Sequence, residues 1–421
     1  MNSELIWQDT PVISYEEALQ RLLTSATVAP GQTLPLAQAA GTVTAAAVTA
    51  RMAVPAFANA AMDGYALRAC DTRTATSGTP VRLLVSGLIA AGDRPRAAGD
   101  VACVEIFTGA AVPAGLDAVI PLEKVTRLMA GADNSKGILI TEPVRPGQNI
   151  RQPAEDFAHG QTVVAAGTRL CPQHLMALAA CGVDEVAIVP APRVAVLTTG
   201  SELHDRGADL PPGQIRDANG PYLCALLPLL GAELTTLGTA ADSASTLRDR
   251  LRELAQGAEV IVATGGVSAG RLDLLPAAVR ELGGELVFHK VAIRPGKPIL
   301  HARLPGGALV FGLPGNPLAV AVGMRFFVIP ALRAMQGLPP EIPLPAQTTA
   351  AVRGRGELRF FAKACVDVNP SGHRLLRMLP GQESFRIAPL LSANCWAIVP
   401  EGEAAIPAGS VLATLPLHPD V

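Results

Sequence analysis

The chain has 421 residues, 49% of them hydrophobic, and a formal net charge of −2. That length points to about three domains, and the near balance of charge excludes a global basic field for nucleic acid. No apolar run reads as a membrane span, the N-terminus lacks the pattern of a secretory signal, and seven scattered cysteines without a C-x-x-C pair fit reduced thiols in a cytoplasm better than disulfides or a zinc site.

Ser14-Tyr15-Glu16-Glu17 is a capping box that opens a helix to about Thr24. The Ala-rich stretch 39–50 predicts a second helix. Between Thr79 and Thr141 short β-prone runs (81–85, 101–107, 118–120 and 137–141) alternate with Gly/Pro/Asp turns and predict a small β domain. Residues 161–182 return to helical texture, with Pro172 near the start of a helix to Ala180.

From Pro192 the pattern is strand, loop, helix. Strands are expected at 194–198, 233–237, 260–264, 285–289 and 308–311. Helices are expected at 221–230, from the Ser243 cap to Gln256, at 274–282 and at 317–335. Such alternation argues a parallel sheet with right-handed crossovers. A Gly/Pro linker at 337–343 leads to further strands near 348–352, 360–366, 395–399 and 411–415, a β-rich C-terminal domain. No internal repeat at a fixed period is evident.

The chemistry concentrates in glycine-rich turns that follow apolar runs. They are Thr198-Thr199-Gly200-Ser201-Glu202, Thr264-Gly265-Gly266-Val267-Ser268-Ala269-Gly270, Arg294-Pro295-Gly296-Lys297-Pro298 and Gly312-Leu313-Pro314-Gly315-Asn316-Pro317. Loops at the carboxyl ends of parallel strands line the binding crevice of an α/β sheet, and glycine lets backbone N–H groups approach an oxyanion. Lys290, Arg294 and Lys297 add positive charge. Only five of the 34 basic residues are lysines, so two of them seven apart suggest a need for compact point charges. The combination points to a phosphate-bearing ligand.

Other readings of these loops are weaker. Gly266-Val267-Ser268-Ala269-Gly270 matches the G-x-S-x-G elbow of serine hydrolases, with Asp273, His289 and His301 as local partners, but Ala269-Gly270-Arg271 prolongs the loop where a helix should begin. Walker A and G-x-G-x-x-G fingerprints are absent. Glu202, Asp217, Asp242 and Asp273 sit on the same loops. Asp217 and Asp242 read equally as helix caps. Carboxylates beside a phosphate repel it unless a divalent cation intervenes, which implies Mg²⁺-assisted chemistry. By themselves, the tracts around Asp63-Gly64 and Gln148-Asn149-Ile150-Arg151 read as turns or polar loops.

Together these segments resemble the molybdopterin molybdenumtransferases, the molybdenum-insertion enzymes related to the E domain of gephyrin. The matching tracts are Ala61-Met62-Asp63-Gly64-Tyr65-Ala66, Thr108-Gly109-Ala110, Gly147-Gln148-Asn149-Ile150-Arg151, Glu155-Asp156, Thr199-Gly200-Ser201-Glu202-Leu203, Gly265-Gly266-Val267-Ser268, Pro295-Gly296-Lys297-Pro298 and Gly312 to Pro317, in family order over nearly the whole chain. The resemblance implies a multidomain α/β plus β fold, with an α/β domain similar to the molybdopterin adenylyltransferases. The expected division is 1–58 with 152–190 as a helical linking domain, 59–151 as the small β domain, 191–338 as the α/β domain and 339–421 as the β-rich C-terminal domain.

The implied reaction converts molybdate and adenylylated molybdopterin to molybdenum cofactor and AMP with Mg²⁺, in a cytoplasmic homodimer that works with a molybdopterin adenylyltransferase and apo molybdoenzymes and uses neither nucleic acid nor membrane. A non-catalytic cofactor-binding scaffold on the same fold is the alternative. Asp63, Asp156, Glu202, Lys290 and Lys297 carry over as catalytic residues. Thr108, Arg151, Gly265, Gly266, Ser268, Arg294, Pro298, Pro314 and Ser384 are expected to bind substrate, and Glu202, Asp242 and Asp273 to hold metal. Asp63 and Asp156 of one subunit would face the α/β domain of the other. The chain departs from the family at Leu274 (usually Tyr), Arg294 (often Lys) and Ala154 (Gly). An expected C-terminal arginine aligns between Glu357 and Arg359.

Overall fold

A computed structural model of the chain describes residues 11–94, 97–128, 136–204, 209–240, 243–266, 274–402 and 404–419. Ser14 accepts a hydrogen bond from the Glu17 amide at 3.1 Å and caps the first helix, Tyr15–Ser25, which buries Ala18 and Leu22 one turn apart. The expected Ala-rich helix at 39–50 does not form. Val43–Thr44 and Val48–Thr49 are strands instead, paired with Glu185–Val189 and with Thr162–Val164. β-branched residues fill these positions and resist helix, and the Thr44 hydroxyl donates to Ala165 O at 2.7 Å. The region 161–182 is helical only at Pro172–Ala180, so the linking part of the chain holds more strand than its alanine content suggests.

The small β unit is a six-stranded sheet ordered Ala118–Pro121, Gly64–Leu67, Cys103–Ile106, Val81–Ile89, Gly137–Ile140 and Val125–Leu128. Gly64–Leu67 looked like a turn but is a buried inner strand. Only glycine fits at its start, because a Cβ on Gly64 would lie 2.1 Å from Ile120 O.

The α/β sheet runs Glu233–Ala240, Arg193–Thr199, Val260–Thr264, Leu309–Leu313, Leu300–Arg303, Glu285–His289. The first four strands are parallel. The expected all-parallel sheet is therefore mixed, since Leu300–Arg303 inserts antiparallel to both neighbours. Val260–Thr264 and Leu309–Leu313 are buried at every residue, as strands covered on both faces must be. The chain passes from Arg193–Thr199 outward to Glu233–Ala240 and then back across to Val260–Thr264. That reversal is the topological switch point, where α/β sheets bind ligands.

Residues Pro317–Met335 form one helical run, long and apolar enough to cross a membrane by length and composition, which the reading of the sequence had not recognised; most of it is buried in the core. Proline opens it, Met324–Val328 adopts π geometry, and Leu318 to Val328 are buried without a break. Burial of each large aliphatic side chain contributes about 1.5–3 kcal/mol. The C-terminal strands close on themselves, because Arg359–Val368 pairs with both Arg374–Met378 and Cys395–Val399. Arg374–Met378 had not been anticipated. The short strand Ile293–Arg294 leaves the α/β unit and pairs with Arg359–Val368, joining the two units beside the loop that carries Lys297.

Candidate functional site

The loops after the parallel strands and the edge of the C-terminal barrel enclose a cleft of about 440 Å³. It brings together Gly265, Gly266, Arg294, Lys297, Pro298, Pro314 and Ser384 from the expected set. It adds Leu358 and Gln382, which nothing in the sequence singled out.

Each loop is shaped by local constraints. Gly265 (φ 87°) and Gly266 (φ 65°) both lie in the left-handed region, and a Cβ on Gly265 would meet Thr199 O at 2.5 Å. Gly315 approaches this turn closely: a Cβ there would stand 3.9 Å from the Gly265 Cα. Asn219 Nδ2 donates to Gly315 O at 2.9 Å. Asp217 resolves as a cap, its Oδ1 accepting from the Asn219 and Gly220 amides at 2.9 Å each.

The two lysines bracket one turn. Lys290 N donates to Ile299 O at 3.0 Å and Val291 N to Lys297 O at 2.9 Å. The turn between them holds a cis Arg294–Pro295 bond and Gly296 at φ 102°. Lys290 itself has φ 72°, a conformation that costs a non-glycine residue about 1–3 kcal/mol and tends to persist at functional sites. Arg294 and Lys297 are exposed at the cleft, whereas Lys290 is half-buried and does not line it.

The remaining expected residues lie elsewhere. Glu202 is exposed on the loop after Arg193–Thr199, close enough to Gly200 that a Cβ there would meet its carboxylate at 2.6 Å. It suits a hard cation, which takes one or two carboxylates along with ligand oxygens. Ser268, Asp242 and Asp273 lie outside the described residues, and among the described residues no three metal-ligating side chains cluster. Asp63, Thr108, Arg151 and Asp156 are exposed on the N-terminal part of the chain and do not line the cleft. Asp63 directly precedes Gly64–Leu67, and Gly64 pairs with Ile106, so the strand register delivers Thr108 to it. Asp63 Oδ1 accepts from the Thr108 amide and hydroxyl at 2.8 Å each. These bonds, the amide first, hold its pKa below the ordinary carboxylate range. Ala154, where the resemblance implies glycine, adopts φ 64°, a left-handed backbone that favours glycine.

Arg359, where the expected C-terminal arginine aligns ambiguously with Glu357, does not line the cleft. Its guanidinium forks onto Glu401 at 3.0 and 3.2 Å, pairs with Glu16 and stacks on Tyr15. Glu357 is exposed and of the wrong sign. Arg355 is the neighbouring arginine, and it does not line the cleft either. It lies 4.9 Å from the centre of the Phe360 ring, and Phe360 is the register partner of Arg294. Its Nε is buried with no hydrogen-bond partner among the described residues. Burial, and then the charges of Arg294 and Arg353, push its pKa down.

Residues 13–182 match the family model described as the MoeA N-terminal region (domain I and II), and residues 195–334 match the probable molybdopterin binding domain. The chain is 34% identical over 409 residues to a molybdopterin molybdenumtransferase of Synechococcus elongatus, covering 95% of this chain and 98% of that one. It is 37% identical over 388 residues to molybdopterin molybdenumtransferase 2 of Mycobacterium tuberculosis, covering 90% and 93%. The crystal structure of a molybdopterin biosynthesis moeA protein from Pyrococcus horikoshii is similar with a TM-score of 0.81 and 30% identity, covering 97% of this chain and all of that one.

Proposed function

This chain belongs to the molybdopterin molybdenumtransferase family of enzymes in molybdenum cofactor biosynthesis, and from that premise we propose that it inserts molybdate into adenylylated molybdopterin, releasing AMP. The observation that carries this reading is the cleft beyond the carboxyl ends of Val260–Thr264 and Leu309–Leu313, where Arg294, Lys297, Ser384 and two glycine turns converge. Two cations and a hydroxyl suit a tetrahedral oxyanion. The left-handed glycine turns leave room for a phosphate to approach the backbone. Groups held in place before the substrate arrives need no reorganisation as charge moves from the phosphoanhydride to the departing AMP.

Glu202, with Asp242 and Asp273 on neighbouring loops in sequence, would hold Mg²⁺. The ion, when bound, supplies charge neutralisation at the phosphoanhydride. Asp63, held anionic by Thr108, and Asp156 complete the site from the second subunit of a homodimer, which accounts for their absence from the cleft of their own chain. The enzyme acts in the cytoplasm, receives its substrate from a molybdopterin adenylyltransferase and delivers cofactor to apo molybdoenzymes. Incubation with adenylylated molybdopterin, Mg²⁺, molybdate and an apo molybdoenzyme tests the reading. AMP release and a reconstituted molybdoenzyme are expected. Molybdate-independent AMP release without reconstitution would refute it.

A further inference from the structure

Lys363 is fully buried and forms no direct ion pair with a carboxylate among the described residues, the nearest favourable charge being that of Glu383, which itself pairs with Arg386. Its Nζ donates to Gly381 O at 2.7 Å and to Arg386 O at 2.9 Å. These two carbonyls flank the segment 382–385, so one ammonium closes the segment into a bow. The backbone of Lys363 makes a second clasp. Its amide donates to Gln382 Oε1 at 3.0 Å, and Gln382 Nε2 donates back to Lys363 O at 2.8 Å and to Leu379 O at 2.7 Å. At the crown of the bow, Ser384 O accepts from Leu318 N at 3.3 Å, at the start of the long helix.

We propose that Lys363 is a positioning residue for the oxyanion cleft, setting the place of Ser384 in the lining it shares with Lys297 through the 382–385 bow. An apolar side chain of similar length would fill the same space without the desolvation that a buried ammonium incurs. A charge kept in such a place is best explained by the geometry that its two acceptors impose. Gln382 lines the cleft, but its amide is occupied by residues 363 and 379, and Glu383 pairs with Arg386 away from the cleft lining, leaving the Ser384 hydroxyl as the polar side-chain group that the bow offers to ligand. Gly381 (φ 68°) fixes the entry to the bow, since a Cβ there would press on Arg386 and Pro389 at 3.0 and 3.1 Å.

The inference rests on the cleft being the molybdate site, and the test separates the two. Cofactor formation is followed at varied molybdate for Ser384→Ala, Lys363→Met and the double variant. Loss of a hydrogen bond to a charged ligand should raise the half-saturating molybdate about tenfold in Ser384→Ala. Lys363→Met should do the same, and the double variant should be no worse than either, because both lesions remove one contact. Half-saturation by adenylylated molybdopterin should not move. A role in stability alone would lower the melting temperature of Lys363→Met and leave its molybdate dependence as in wild type, which overturns the inference. Independent effects that multiply to about a hundredfold in the double variant would also overturn it. If Ser384→Ala binds molybdate normally, the reading of the cleft falls and takes this inference with it. Should Lys363→Met fail to fold, Gln382→Ala is expected to show the same tenfold rise, and its absence counts against the proposal.

Discussion

Thr108 donates both its backbone amide and its hydroxyl to a single carboxylate oxygen of Asp63, each at 2.8 Å. Two donors on one oxygen stabilise the anion, so the folded-state pKa lies below the unfolded value of about 3.9. The sign follows from linkage. A depressed carboxyl contributes stability that is present above its unfolded pKa and lost as pH falls through the folded one. Thr108→Val keeps the amide, the larger of the two causes, and removes the hydroxyl. Its Asp63 should titrate nearer the ordinary range, read by carboxyl-carbon NMR. An unchanged midpoint would show that the amide alone sets it.

Asp63 and Lys297 are expected to act in one site while belonging to different subunits. Asp63→Asn and Lys297→Ala should each be inactive alone. In a mixed dimer one cleft carries both lesions and the other neither. Random reassortment makes about half the dimers mixed, so activity should return to about a quarter of wild type. Differently tagged chains report the exchange. Mixed dimers without activity would mean that each site is built within one chain.

Gly265→Ala should fail at the level of the backbone. The residue has φ 87°, and the new methyl would meet Thr199 O at 2.5 Å. A loss of about 1–3 kcal/mol in denaturant unfolding is expected, with loss of cofactor formation as the turn shifts. Gly306→Ala is the control, because its Cβ would have nothing within 4 Å. Equal stability of the two variants would contradict the steric argument.

Arg325 lies inside the long helix with only 1% of its side chain exposed. It forks onto Glu341 at 2.8 and 2.9 Å and donates from Nε to Pro416 O at 2.8 Å. It therefore ties the helix to the linker and the last strand. Glu341→Ala leaves a buried guanidinium without its counter-charge and should cost about 3–5 kcal/mol. Arg325→Met with Glu341→Leu should cost less than Glu341→Ala alone. Calorimetric or denaturant unfolding of the three proteins decides the order.

Local signals carried much of this molecule. The capping box at Ser14 placed the first helix, and the apolar runs ahead of Gly200, Gly265 and Pro314 placed the central strands, because a parallel strand buried on both faces must be continuously apolar. Glycine at 265 and 296 announced turns that few other residues can make. The spaced tracts from Ala61 to Pro317 were sufficient to suggest the family, since their order along the chain is far more specific than any one of them.

The tertiary structure decided what depends on partners distant in sequence. Val43–Thr44 and Val48–Thr49 became strands because Glu185–Val189 and Thr162–Val164 lie alongside them, and pairing outweighed the helical preference of the alanines. Leu300–Arg303 entered the sheet antiparallel, a direction that a short apolar run does not encode. Arg359 and Arg355 are four residues apart, yet one pairs with Glu401 and Glu16 while the other stacks on Phe360 near Arg294. Lys363 gave no sign in the sequence of being an anchor, because its role depends on carbonyls at Gly381 and Arg386 that only the folded barrel brings to its ammonium. Sequence dictates where a chain can turn and what it must bury, whereas the direction in which a charged side chain points is settled by the donors and acceptors that folding places around it.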